Sequence, residues 1–305
     1  MKKDLVSMNQ LSGEDIQRIL DAASFMKQII LSGNKKAPHL QGKSIVTLFY
    51  ENSTRTRMSF ELASKYLGAA SANISASASS VAKGETLIDT GRTLDMMGTD
   101  IIIIRHPMSG AAALLAENVN ASVINAGDGM NEHPTQALLD IFSLREKKGS
   151  LEGLKVAIVG DIYHSRVARS NIIGMRKMGA RVVLAAPETL MPPRIEELGA
   201  EIAASADEAV SGADAVMGLR IQKERQQAGL LPSLREYFKY YGLDDRRIAL
   251  AKPDAVIMHP GPMNRGVEIS SSAADSPASI INEQVRSGVA VRMALLHILA
   301  HSKEI

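Results

Sequence analysis

The sequence predicts an α/β protein built as two open parallel-sheet domains, with helices on both faces of each sheet. Short β-branched runs alternate with helix-period segments along most of the chain, which is the pattern of parallel strands joined by crossover helices. At 305 residues the chain exceeds the size at which a single hydrophobic core keeps growing. A charged, glycine-containing joint, Lys147-Lys148-Gly149-Ser150-Leu151-Glu152-Gly153, is followed at once by a fresh strand, Lys155 to Val159, and places a boundary near residue 150. The expected domains are therefore 1–150 and 151–284, with a helical segment of about 285–305 left to dock.

The elements follow in order. Ser12 with Asp15 three residues on reads as a helix N-cap, and Ile16, Ile19, Leu20, Ala23 and Met26 recur at helical spacing, giving an amphipathic helix over 13–31. Strands are expected at 44–49, 70–75, 101–104 and 122–125, alternating with helices at 54–67, 86–97, 110–117 and 134–146. Past the boundary, strands fall near 155–159, 181–185, 214–218 and 255–258, with helices near 165–178, 232–239 and 244–250. From about 277 to 301 the pattern is helical, and Ile280, Ile281, Val285, Met293, Ala294, Leu296 and His297 form an apolar face that must be covered.

Bulk composition removes several function classes. Hydrophobic content of 45%, charged content of 22% and the lack of any apolar run near the ~20 residues of a spanning helix argue against a membrane protein. With 35 basic and 33 acidic residues the formal charge is +2, which is no nucleic-acid footprint. The absence of cysteine excludes disulfides, thiolate zinc sites and cysteine nucleophiles. Met1-Lys2-Lys3-Asp4-Leu5 lacks the apolar stretch and small-residue cleavage site of a secretory signal, so a cytoplasmic location is expected.

In open parallel sheets the loops leaving the carboxyl ends of the strands converge on one crevice. After 44–49 comes Ser53-Thr54-Arg55-Thr56-Arg57, which opens a helix. Backbone N–H groups, hydroxyls and a guanidinium meeting at such a turn make a phosphate cradle. After 101–104 comes Arg105-His106-Pro107, and after 122–125 come Gly127-Asp128-Gly129 and His133-Pro134-Thr135-Gln136. This set suits a ligand with a phosphate at one end and a polarised carbonyl at the other, with Arg105 and His133 as oxyanion donors. Taken singly, Arg55 reads equally as a surface ion-pair residue and His133 as a helix-start residue before Pro134; their joint placement after successive strands is what argues for a site.

The second half supplies Arg166 and Arg169 after 155–159, and Arg220, Gln222, Lys223 and Arg225 after 214–218. Two or three guanidinium groups read a dicarboxylate, with Arg220 and Gln222 the better-placed readers and Lys223-Glu224-Arg225 open to being a solvated charge run. Residues 76–85 are small and polar with one lysine, Lys83, and read either as an ordinary exposed loop or as one that closes over an anion. His259-Pro260-Gly261-Pro262 follows the last strand as a stiff turn, either a structural corner or a backbone face for a ligand's amine. His39, His106, His164, His297 and His301 show no partner pattern and read as structural or surface residues. Gly160-Asp161-Ile162-Tyr163-His164-Ser165 lacks the glycine spacing of a dinucleotide turn, and the phosphate cradle lacks the Gly-Lys-Ser/Thr ending of a nucleotide loop, so no cofactor and no metal are expected.

Together, Ser53-Thr54-Arg55-Thr56-Arg57, Lys83-Gly84-Glu85, Arg105-His106-Pro107, His133-Pro134-Thr135-Gln136, Arg220-Ile221-Gln222-Lys223-Glu224-Arg225 and His259-Pro260-Gly261-Pro262, in this order, resemble the aspartate/ornithine carbamoyltransferase family. The resemblance spans about 44 to 297 and is closer to the aspartate branch, because the His-Cys-Leu-Pro turn and Ser-Met-Gly loop of ornithine enzymes are missing. It implies transfer of the carbamoyl group of carbamoyl phosphate to the α-amine of L-aspartate, giving N-carbamoyl-L-aspartate and phosphate, an early step of de novo pyrimidine biosynthesis. Ser53, Thr54, Arg55 and Thr56 would hold the phosphate; Thr56, Arg105 and His133 would address the carbonyl oxygen; Gln136 and the backbone near Gly261 and Pro262 would take the carbamoyl amine. Arg166, Arg220 and Gln222 would orient aspartate with Lys83 closing in, and Lys83 and Ser79 would come from the adjacent subunit of a homotrimer. The terminal helix would pack back on the carbamoyl-phosphate-binding first domain, the second domain would bind aspartate, and the two would close on binding. A regulatory or dihydroorotase partner is left open. The alternatives are a carbamoyltransferase for ornithine or another amino acid, and a non-catalytic phosphometabolite-binding paralogue.

Overall fold

The computed structural model describes residues 2–75, 84–222, 230 and 233–302. It divides into two compact units, residues 1–139 with 286–305 and residues 140–285. The division falls ahead of the expected joint at 150, because it cuts through a continuous helix rather than the polar loop behind it.

The first unit opens with α1 (Gly13–Leu31), whose Ser12 cap accepts from the Asp15 N–H while the Asp15 carboxylate accepts from the Ser12 N–H. Then come β1 (Ser44–Phe49), α2 (Thr54–Tyr66), β2 (Ala70–Ser75), α3 (Leu87–Met96), β3 (Ile101–His106), α4 (Ala111–Ala116), β4 (Ser122–Asp128) and α5 (Pro134–Lys148). The strands pair in parallel in the order β2-β1-β3-β4. Val46, Leu48, Ile102, Ile104 and Val123 pack on Leu94, Ala112 and Leu115 of α3 and α4. Their alternates Ile45, Phe49, Ile101, Ile103 and Ile124 are also buried. Since successive strand residues face opposite ways, both faces of β1, β3 and β4 are covered, while the edge strand β2 is largely exposed.

The second unit continues with β5 (Lys155–Val159), α6 (Arg166–Lys177), β6 (Arg181–Ala185), β7 (Glu201–Ile202), α7 (Ala206–Val210), β8 (Ala215–Gly218), α8 (Leu234–Tyr241), α9 (Asp245–Ile248), β9 (Val256–Met258) and α10 (Ser271–Ala274). Its parallel order is β7-β6-β5-β8-β9. β7 and α7 were not expected from the sequence: two exposed residues at a sheet edge and a five-residue helix carry almost no periodic signal.

The terminal helix α11 (Ile281–His301) begins in the second unit and ends in the first. There Arg292 lies over the Phe60 ring and donates to Thr135, and the His297 ring meets His39. The apolar face foreseen for this segment thus docks on the first unit. Among the described residues no helix is long and apolar enough to cross a membrane.

Candidate active site

In each sheet the strand order reverses once; the loops bearing Ser53 and Arg105, and those bearing Arg166 and Arg220, leave the strands at that reversal, while the His133 loop follows β4 and the His259 turn follows β9, one strand further along. In the first unit β1 connects outward to β2 while β3 pairs on its other side, so the crevice opens between the carboxyl ends of β1 and β3. Phe49 pairs with Arg105 in register there, and the Tyr50 amide donates to the Arg105 carbonyl at 2.8 Å. In the second unit β5 connects outward to β6 while β8 pairs on its other side, with Val159 opposite Gly218.

The β1 loop ends at Ser53, which caps α2 in an extended conformation without a side-chain cap hydrogen bond. The first-turn N–H groups of α2 therefore keep their electrostatic pull on an anion. Thr54 and Arg55 are exposed at this end, while Thr56 is buried and its carbonyl accepts from the Ser59 hydroxyl at 2.8 Å. Arg105, at the end of β3, is turned by two contacts: its Nη1 donates to the Ala126 carbonyl at 3.2 Å, and its Nε lies 3.3 Å from the Glu51 carboxylate.

His133 is buried and stands at the start of α5, where its carbonyl accepts from the Gln136 and Ala137 amides; Pro134 behind it fits the first helical position, which needs no N–H. The loop before it is organised by the buried Asp128 carboxylate. That group accepts from the Gly110 amide (2.7 Å), the Asn125 side chain (2.8 Å) and the Glu132 amide (3.1 Å). Burial pushes the His106 imidazole below its ordinary pKa, against the pull of Glu51, and its Nδ1 accepts from the Met108 amide at 3.0 Å. His106 thus serves packing, against the Tyr50 ring at 4.6 Å. The structure brings Ser53, Thr54, Arg55, Thr56, Arg105, His133 and Gln136 to the carboxyl edge of one sheet.

In the second unit Ser165 caps α6, accepting from the Ala168 amide, and sets Arg166 in the first turn, where it is buried. The loop carrying it depends on Gly160, at φ 139°, where an added Cβ would stand 2.7 Å from the Leu219 carbonyl oxygen. Arg220 and Gln222 follow β8, and Gln222 Nε2 donates to the His164 carbonyl at 3.0 Å, so the β8 and β5 loops are joined. His164 has a partner after all: the fully buried Asp161 carboxylate meets its Nδ1 at 2.9 Å and accepts its backbone N–H at 3.1 Å. The spacing Asp161-x-x-His164 directly after a strand was the signal for this pair. Glu51 was also missed, since an acid beside a phosphate cradle argues against the obvious role.

The turn after β9 has a cis peptide between Gly261 and Pro262. The Gly261 amide donates to His259 Nδ1 at 2.8 Å, and His259 Nε2 faces Glu268 at 3.3 Å. Ser79, Lys83, Lys223 and Arg225 lie outside the described residues. Among the described residues, no group of three His, Cys, Asp or Glu side chains could hold a metal ion.

Two doubly wound sheets, one presenting hydroxyl, arginine and amide donors at its carboxyl edge and the other arginine and amide donors at its own, define a class of two-domain proteins that hold small anionic metabolites. The chain belongs to the aspartate/ornithine carbamoyltransferase family: residues 3–146 match its carbamoyl-P binding domain and residues 152–299 its Asp/Orn binding domain. The aspartate carbamoyltransferase catalytic subunit of Acetivibrio thermocellus is 70% identical over 97% of this chain and 95% of its own length. That of Ruminiclostridium cellulolyticum is 66% identical over the same shares. Among solved structures, the Trypanosoma cruzi aspartate transcarbamoylase in complex with carbamoyl phosphate and aspartate is 34% identical with a TM-score of 0.88, covering 96% of this chain and 95% of that one. The Pyrococcus furiosus ornithine carbamoyltransferase is 32% identical with a TM-score of 0.87, over 96% and 95%.

Proposed function

We propose that this chain is an aspartate carbamoyltransferase, moving the carbamoyl group of carbamoyl phosphate to the α-amine of L-aspartate with release of phosphate. The observation that carries the reading is the division of donors. The first sheet gathers hydroxyls, a helix start, Arg105 and His133 around one edge, and the second offers Arg166, Arg220 and Gln222 at its own. The former suits a phosphate with an adjoining carbonyl, the latter a dicarboxylate.

The neutral α-amine attacks the carbamoyl carbon, forming the C–N bond and a tetrahedral oxyanion. Thr56, Arg105 and His133 stabilise that oxygen, and the C–O bond to phosphate then breaks while Ser53, Thr54 and Arg55 carry the leaving group's charge. Gln136 and the Gly261-Pro262 backbone hold the carbamoyl amine. The proton lost by the amine passes to the departing phosphate. Fixed donors and the alignment of two substrates supply the rate enhancement.

The reaction serves an early step of de novo pyrimidine biosynthesis in the cytoplasm. The working form is a homotrimer in which Ser79 and Lys83 reach a neighbour's site, as the family resemblance implies. A colorimetric assay for carbamoyl-aspartate, with ornithine in parallel, tests the reading. Product from aspartate and none from ornithine supports it; citrulline formation, or no product from either amine, overturns it.

A further inference from the structure

We propose that Asp140 and Gln284 are positioning residues: a buried relay that fixes the direction of the His259 turn and, through it, recognition of the carbamoyl amine. The inference rests on the function proposed above and assigns a task to residues outside the reacting groups. Asp140, Gln284, Asn171 and His259 are all buried. One Asp140 oxygen accepts from Gln284 Nε2 at 2.7 Å and the other from Asn171 Nδ2 at 2.8 Å. Gln284 Oε1 in turn accepts the His259 backbone N–H at 3.0 Å.

The direction of this chain is set by chemistry. A carboxylate only accepts, so Gln284 must offer its NH₂ to Asp140 and is left with its oxygen for His259. Asn171 cannot reverse either, because the same NH₂ also donates to the Val167 carbonyl at 3.1 Å. From His259 the turn is then tied forward. The Gly261 amide donates to His259 Nδ1, which leaves the Nε2 proton facing Glu268. Glu268 accepts from the Asn264 backbone amide and, at 3.3 Å, from its side chain. Gly261 and Pro262 lie between these two anchors. Apolar side chains of similar volume at both 140 and 284 would fill the space without burying a carboxylate, so the polar relay is better explained by the orientation it imposes.

Asp140→Asn turns one acceptor into a donor and forces an NH₂ against an NH₂ at Gln284 or Asn171. Asp140→Asn combined with Gln284→Glu restores the pairings with Asn171 and His259 and the one between positions 140 and 284. In that double variant the introduced carboxylate accepts from the His259 amide and from the introduced carboxamide, whose own oxygen accepts from Asn171, at unchanged volume and net charge.

The test measures, by calorimetry, binding of two stable probes that differ only in NH₂ against CH₃: phosphonoacetamide and acetonylphosphonate. Wild type should prefer the amide, Asp140→Asn should lose about tenfold in amide affinity with the methyl ketone within twofold, and the double variant should regain the preference. Parallel loss of both probes in Asp140→Asn, no loss of either, or a folded double variant that stays weak for the amide overturns the inference. If Asp140→Asn does not fold, the double variant alone decides, and its failure to fold also counts against the relay. Wild type binding neither probe refutes the proposed function instead, and wild type binding both equally refutes the amine-reading turn.

Discussion

Replacing Arg105 by lysine keeps the charge and removes the geometry, which makes it the sharpest perturbation of the proposed site. The arginine side chain is 14% exposed and is oriented by the Ala126 carbonyl at 3.2 Å and the Glu51 carboxylate at 3.3 Å. A guanidinium spreads five N–H donors over a rigid plane, so it can keep these contacts and still face a developing oxyanion. A lysine ammonium has three donors on one nitrogen and would settle beside Glu51. Removing one preorganised oxyanion donor raises the barrier by ~2.7–4 kcal/mol, which is about 10² to 10³ in kcat.

Stability should respond on a different scale. Lysine retains the Glu51 pair, and such a partly exposed pair contributes at most about 1 kcal/mol, or ~2–4 °C in Tm for a protein near this size. Initial rates of carbamoyl-aspartate formation at saturation in both substrates, with Tm on the same samples, separate the two effects. Arg105→Lys retaining more than about a third of wild-type turnover would refute the oxyanion role, as would a rate loss that merely followed the loss of folded protein.

Gly160→Ala should lower stability by about 2–4 kcal/mol, the sum of a positive φ imposed on an L residue and crowding against the Leu219 carbonyl, read as a fall in Tm. Hydrogen bonds from Arg246 and Arg247 hold the Asp207 carboxyl down to about 2, so its stabilisation is present above the ordinary carboxyl pKa and lost as pH falls through about 2. Asp207→Asn should be less stable than wild type in urea at pH 6, with the gap closing towards pH 2; a gap independent of pH would sink this. Burial, then His301 and His39, push the His297 imidazole below its ordinary value, so its neutral form stabilises the fold above about pH 6.5 and that contribution is lost as pH falls. His297→Gln should accordingly show a flatter Tm profile than wild type between pH 7 and 5. Arg220→Leu should raise KM for aspartate at least tenfold and leave phosphonoacetamide binding within twofold; equal loss of both would contradict its assignment to the dicarboxylate.

The alternation of β-branched runs and helical patterns was legible because buried parallel strands are continuously apolar and their helices amphipathic. β1, β3, β5 and α1 therefore stand close to where periodicity puts them. The position of the candidate loops at the carboxyl ends of strands was legible for a related reason: cations placed directly after strands have few structural uses. What escaped were short edge elements such as β7 and partners brought together by folding alone. Asp161 and His164 are three apart and visible in principle, but Asp140 and Gln284 are 144 positions apart and no local pattern joins them.

The acids beneath the site loops share a chemistry. Behind four of the loops that bear proposed site residues stands a carboxylate: Glu51 against Arg105, Asp128 under the His133 loop, Asp161 under the Arg166 loop, and Glu268 under the His259 turn. A carboxylate offers about four acceptor positions and no donor, so one side chain can gather several loop N–H groups and settle their directions together. Asp128 gathers four in this way, from Gly110, Asn125, Asn131 and Glu132, Asp161 a backbone amide and an imidazole, and Glu268 an amide, a carboxamide and an imidazole edge. Catalysis by fixed donors requires that the donors not reorganise as charge develops. An apolar residue cannot impose that on a loop, and a hydroxyl can bond in several orientations. No local pattern in the sequence marks these acids as buried; burial is what turns them into scaffolding, and burial is the property a single sequence shows least.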